Sequence, residues 1–245
     1  MKTTPSWSRH LWWILSLASL ISLAGWILHS RELLNEWITL GISIVLIAFL
    51  IHFRFPLGEV NINLVHAISL TIGIALNPGT AGIALTVGFI VGELISRAYQ
   101  RLPSNKPKRE WLELKIQSLE YSRQALSLFG GLGLYKLLGG MSTLQTKSLP
   151  DLVPALGLAG GFTALFLTLH WLTRLLLERR RGNRKETLTL ILVAILPTPF
   201  AFFSAVALAN FGPVSILVFG GVFAVIAPIL KNLSQTERDL QRRLQ

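Results

Sequence analysis

The sequence predicts an all-α fold, a polytopic membrane bundle of about eight transmembrane helices. Three observations predict it. Of the 245 residues, 51% are hydrophobic and only 14% are charged, whereas a soluble domain carries about 25% charged residues. The apolar residues come in long runs and the mean hydropathy is +0.55, which is the pattern of membrane spans rather than of amphipathic surface helices. The cationic residues are grouped after every second run, as topology in a bilayer requires.

A helix needs about 20 apolar residues to cross the hydrocarbon core. The first span is "LWWILSLASLISLAGWIL", residues 11–28. Lys2, Arg9 and Ser22-Leu23-Ala24 also fit a signal peptide with a small-residue cleavage site. The apolar run continues past Ala24 to Leu28, so the span is read as uncleaved. The second span covers roughly 34–53. "RFPLGEVNIN" follows, punctuated by Pro56 and Gly58, with Val60, Ile62 and Leu64 alternating with Asn61 and Asn63. That alternation predicts a short extended segment at the interface. The third span is 64–77, Asn77-Pro78-Gly79 makes a turn, and the fourth span is 80–96.

A basic loop, "RAYQRLPSNKPKRE", comes next, and "WLELKIQSLE" leads amphipathically into a fifth span at 119–138. Arg123, Lys136 and the glycines at 130, 131 and 133 make it the least regular. The sixth span is 152–173, followed by the second basic loop, "RLLLERRRGNRKE". The seventh, 188–209, carries Pro197 and Pro199, which predict a bend and a freed carbonyl near Val193. The eighth, 213–230, follows the turn Asn210-Phe211-Gly212-Pro213.

Charge tests the count. Lys2 and Arg9 precede span one; Arg97, Arg101, Lys106, Lys108 and Arg109 follow span four; Arg174, Arg179, Arg180, Arg181, Arg184 and Lys185 follow span six. Lys231, Arg238, Arg242 and Arg243 follow span eight, and the other connections carry little net charge. An even number of spans puts all four basic segments on one side. The positive-inside rule then makes both termini cytoplasmic. The net charge of +11 is thereby a matter of topology and anionic lipid, and nucleic acid is not an expected partner. Cysteine is absent, which excludes disulfides and thiolate chemistry.

Lipid gives helices no hydrophobic reason to associate, so small residues mark the faces where backbones approach. Ala84, Gly88 and Gly92 recur at spacing four in span four, and Gly157 and Gly161 do so in span six. These positions predict helix packing, with spans three to six as an inner bundle. Polar residues inside spans cost about 2.5–3.5 kcal/mol each on insertion scales. Glu93 ends span four, and Glu120 and Arg123 stand three apart on one face of span five, where they can pair and where Arg123 could reach Glu93. The cluster reads either as a polar pocket between helices or as interfacial ion pairing. His66 and His170 lie near span ends.

No phosphate-binding glycine loop, metal-ligand spacing or nucleophile–base pair is present. The expectation is therefore no catalytic residue, no cofactor and no metal in these residues.

The C-terminal "IAPILKNLSQTERDLQRRLQ" departs from everything before it. Leu230, Leu233, Leu240 and Leu244 take a and d positions of a heptad register, with Glu237 at the intervening a. That is the start of a coiled coil, but two heptads are too short to stand alone. The expected organisation is a transmembrane domain, 1–230, and a cytoplasmic connector helix, 231–245, that forms a homodimer and joins an output domain or partner. A chain continuing beyond these residues is one expectation from this pattern. The alternative is an ordinary polar terminal helix at the interface.

The succession of "RFPLGEVNINLVHAISL", "NPGTAGIALTVGFIVGELISR", "LEYSRQALSLFGGLGLYKLLGG" and "LANFGPVSILVFGGVFAVIAPIL", closed by the charged helix, resembles the N-terminal multi-pass input domains of bacterial signalling proteins. Those domains precede GAF, histidine-kinase, HD-type phosphohydrolase or GGDEF domains. The resemblance covers about 35–245 and implies a sensory module that relays a packing change through its last helix. It carries no catalytic residues across. A second resemblance, of "NPGTAGIALTVGFIVGELI", is to the substrate-binding subunits of energy-coupling vitamin transporters, and it implies small-solute transport. A plain membrane anchor is the third reading.

Overall fold

Long apolar runs fold as helices because lipid or a dry core leaves backbone groups no partner but each other. The structure, a computed structural model, describes residues 10–29, 37–52, 54–57, 60–63, 65–100, 107–141, 151–175, 187–188, 190–191, 195 and 197–244. The helices whose bounds lie within the described residues are α1 (Leu11–His29), α2 (Trp37–Leu50), α3 (Val65–Ala75), α4 (Pro78–Gln100), α5 (Pro107–Leu137), α6 (Leu152–Thr173), α7 (Pro197–Phe211) and α8 (Val214–Leu244). Three stretches, Leu11–Leu28, Pro78–Ser96 and Leu152–Thr173, are long and apolar enough to cross a membrane. The basic residues of the N-terminus, of 101–106 and of 176–186, and the carbonyl near Val193, lie outside the described residues.

The extended segment between α2 and α3 is an antiparallel hairpin of β1 (Arg54–Leu57) and β2 (Val60–Asn63), paired from Arg54 with Asn63 to Leu57 with Val60. It sits at the end of the bundle that holds the C-terminus of α2 and the N-terminus of α3. Pro56 is tolerated because each strand of a two-stranded pair has a free edge.

The first six helices alternate in direction. Ser16 of α1 meets Ser118 and Ser122 of α5, while Ser22 and Trp26 line one groove with Leu126 and Gly130, so α1 and α5 run parallel. His66 and Ser69 reach Gln124 and Gly73 faces Leu128, so α3 is parallel to them. Gly88 faces Ile47 and Gly92 faces Ala48 and Ile51, so α4 is parallel to α2. Gly82 faces Phe129 whereas Thr86 meets Tyr121, so α4 opposes α5. Gly131 faces Leu158 and Arg123 reaches His170, so α6 opposes α5 as well.

The innermost element is α3, whose 11 residues are all buried. At 1.5 Å per residue it spans only about 16 Å, and its neighbours α2, α4, α5, α6 and α7 enclose it. The predicted inner bundle of spans three to six is therefore rearranged. The small stripe of α4 turns outward onto α2, where a Cβ on Gly88 would lie 2.7 Å from Ile47 and one on Gly92 would lie 3.0 Å from the Ala48 carbonyl oxygen. Ala84 is fully buried. Gly161 and Gly157 face α5 at Leu134 and Leu138.

Turn chemistry sets the helix ends. Asn77 Oδ1 accepts from the Gly79 N–H at 3.3 Å, and its carbonyl accepts from Ala81 N–H at 2.9 Å, the double role of an N-cap. Gly139 takes φ 83°, and Gly140 N–H reaches back to the Tyr135 carbonyl at 2.8 Å, closing α5 with a glycine C-cap. Residues 187–188, 190–191 and 195 are helical and α7 opens at Pro197, a first-turn position where a missing N–H costs nothing; the residues just before it, where the sequence predicts the bend of span seven, lie partly outside the described residues. α8 runs unbroken across residue 230, with Pro228 inside it, so no structural break separates 1–230 from 231–245. Leu233 on it is exposed, and the backbone is helical at Leu230, Leu240 and Leu244.

Candidate functional site

The first buried turns of α5 carry "SLEYSRQALS", 118–127. A polar run of this kind is expensive in a dry interior unless each group finds a partner. Because α5 is surrounded, its side chains find them on four different helices. Toward α1, Ser16 Oγ lies 2.7 Å from Ser118 Oγ and 3.1 Å from Ser122 Oγ. Toward α4, the Tyr121 hydroxyl lies 3.0 Å from Thr86 Oγ1. Thr86 gives its only proton to the Gly82 carbonyl at 2.8 Å, so Tyr121 is the donor.

Toward α3, Gln124, fully buried, donates from Nε2 to His66 Nδ1 at 3.0 Å, while its Oε1 accepts from Ser69 Oγ at 3.4 Å. Toward α6, Arg123 Nη1 donates to His170 Nδ1 at 2.8 Å. A guanidinium has only donors, so His170 accepts through Nδ1 and carries its proton on Nε2. The amide nitrogen of Gln124 imposes the same tautomer on His66.

The two imidazoles flank one aromatic ladder. Phe162, Phe166 and His170 recur every four residues on α6 and therefore share a face. The His66 ring stands edge-on to Phe166, centroids 4.4 Å apart, and to Phe162 at 5.7 Å. Phe162 and Phe166 are parallel at 6.1 Å, and Phe166 and His170 are 6.5 Å apart. The arrangement joins α3, α5 and α6 through two neutral imidazoles. It is suited to hold these helices in register. Among the described residues no group of three His, Cys, Asp or Glu could hold a metal ion.

Of the residues singled out in the sequence, Glu120 and Arg123 lie one turn apart on α5, both half-buried, and Glu93 is half-buried on α4 one turn beyond Phe89. Phe89 stacks edge-on with Tyr121 at 5.4 Å, which brings Glu93 to the same end of the bundle as Glu120. Gln124, Ser69, Ser16 and Thr86 escaped the sequence reading. A glutamine in mid-span was the available signal.

A second feature lies between α3, α6 and α7, a cavity of about 300 Å³ lined by apolar side chains and Thr198. Comparison with protein-family models, with curated proteins and with solved structures finds no match to this chain.

Proposed function

We propose that the chain is a membrane-embedded input module of a bacterial signal-transduction protein. It crosses the inner membrane eight times with both ends in the cytoplasm, and α8 relays changes in helix packing to a cytoplasmic output. The observation that carries this reading is α8, one continuous helix that begins in the apolar bundle and ends in "SQTERDLQRRL". A continuous helix anchored at one end can transmit displacement to the other. The alternation of α1 to α6 supports an even number of crossings. Exposed apolar residues such as Trp13, Ile21, Val45 and Val153, each at least 60% exposed, give the bundle a surface that water disfavours and lipid accepts. Trp12 and Trp13 at the start of α1 and Trp171 at the end of α6 mark one interface, and Trp37 at the start of α2 marks the other.

In this reading the polar junction on α5 is the element that responds, because it ties together α1, α3, α4 and α6. The C-terminal helices of two copies pair through Leu230, Leu233, Leu240 and Leu244. The test is a reporter fused after Gln245, together with cysteine cross-linking at Leu233 and Leu240 in native membranes. A cytoplasmic reporter and a cross-linked dimer are expected. A periplasmic reporter, or monomers at every position tried, would sink the relay.

A further inference from the structure

We propose that the cavity between α3, α6 and α7 binds an aliphatic molecule bearing one hydroxyl or carbonyl group, taken up from the bilayer. The proposal rests on the membrane reading above but not on the signalling output. Its walls are Leu70 and Ile74 from α3, Ala155 and Ala159 from α6, and Thr198 and Phe202 from α7.

Three observations carry it. The volume, about 300 Å³, is twice that of a ~150 Å³ apolar cavity that stays dry and takes up benzene, so it accommodates a medium-length chain. The walls are apolar apart from Thr198, so water is a poor occupant. Thr198 Oγ1 is buried and makes no hydrogen bond, whereas other buried helical hydroxyls bond back to their own helix, as Thr71 does to Ala67 and Ser43 to Thr39. An orphaned hydroxyl at an apolar cavity asks for a polar atom on the ligand.

Entry from the bilayer follows from the lining. Leu156 and Phe203 border the same cavity and are 56% and 65% exposed. Its mouth therefore opens on the face that acyl chains would cover. A ligand lodged there touches α3, the innermost helix, as well as α6 and α7, with its polar atom against Thr198 on α7.

The experiment uses the full chain in phosphatidylcholine liposomes and a photoreactive diazirine analogue of 1-octanol, with a diazirine octane as the matched probe lacking the hydroxyl. Saturable labelling of peptides covering 152–159 and 198–203, displaced by excess 1-octanol, is expected. Ala159→Leu fills the cavity and lowers that labelling by about ten-fold or more. Thr198→Val, nearly isosteric and compatible with folding, lowers alcohol labelling by about five-fold and leaves the octane probe unchanged. Labelling that never saturates and follows lipid exposure, with α1 marked as strongly as α6, overturns the proposal. So does saturable labelling that survives Ala159→Leu. Failure of the chain to float with the liposomes would instead remove the membrane reading itself.

Discussion

Gly131 and Gly161 put the backbones of α5 and α6 in direct contact. A Cβ on Gly161 would lie 3.3 Å from Gly131 Cα, and one on Gly131 would lie 2.8 Å from the Leu158 carbonyl oxygen and 3.2 Å from the Phe162 nitrogen. Backbone cannot swing aside as a flexible side chain can. This close crossing brings Arg123 to His170 and His66 to the Phe162–Phe166 ladder, because longer side chains at the crossing would push α6 away from α5.

Gly131→Ala is therefore expected to destabilise the bundle by about 1–3 kcal/mol, the usual range for overpacking. Gly133→Ala, two residues away, has open space around its Cβ. It should stabilise by up to about 1 kcal/mol through helix propensity alone. Thermal unfolding of both variants in one detergent reads the difference in sign, and equal shifts would show that the crossing is not tight.

Gln124→Leu should cost about 1–3 kcal/mol, because it strips a donor from His66 and an acceptor from Ser69, all three side chains being buried. Replacing both ends of a buried polar pair by apolar groups is far less damaging. Adding His66→Phe to Gln124→Leu is thus expected to cost less than the sum of the two single changes. A double-mutant cycle on unfolding midpoints measures this coupling; strict additivity would mean the two side chains do not act as a unit.

Tyr121→Phe provides the mild counterpart. Thr86 keeps its bond to the Gly82 carbonyl when the phenol oxygen is removed, so no proton is orphaned. The expected loss is near the ~0.6 kcal/mol average for hydrogen bonds within membrane bundles. A loss as large as that of Gln124→Leu, in the same unfolding assay, would show that the phenol hydroxyl's contacts with Thr86 and Ser19 outweigh an average hydrogen bond of such bundles.

What the sequence made legible was local. Hydropathy and length located α1, α4 and α6 to within two residues at most ends, since an apolar run is its own signal. Asn77-Pro78 and Gly212 announced their turns for the same reason, and Gly212 indeed takes φ 72°. Burial was not legible. "VHAISLTIGIA" of α3 reads much like the runs around it, yet it is enclosed on every side; only its neighbours decide that. Arg123 shows the limit best. Its bond to His170 joins residues 47 apart and depends on how closely two helices cross, which no spacing along the sequence announces.

The membrane orientation yields the last prediction. The chain has no cysteine, so a single one can be introduced without background. α1 and α6 run in opposite directions, so His10 before α1 and Asp151 before α6 lie at opposite ends of the bundle; both are exposed. Asp151 makes no side-chain capping bond, so Asp151→Cys should fold normally. In intact cells an impermeant maleimide is expected to modify Asp151→Cys and Asn210→Cys, while His10→Cys and Thr236→Cys react only after permeabilisation. Modification of His10→Cys and Asp151→Cys from the same side would mean that the bundle does not cross the bilayer along its helix axes. Modification of Thr236→Cys from outside, with the other three as expected, would leave the bundle in place but reverse the exit of α8, and with it the direction in which any packing change could travel.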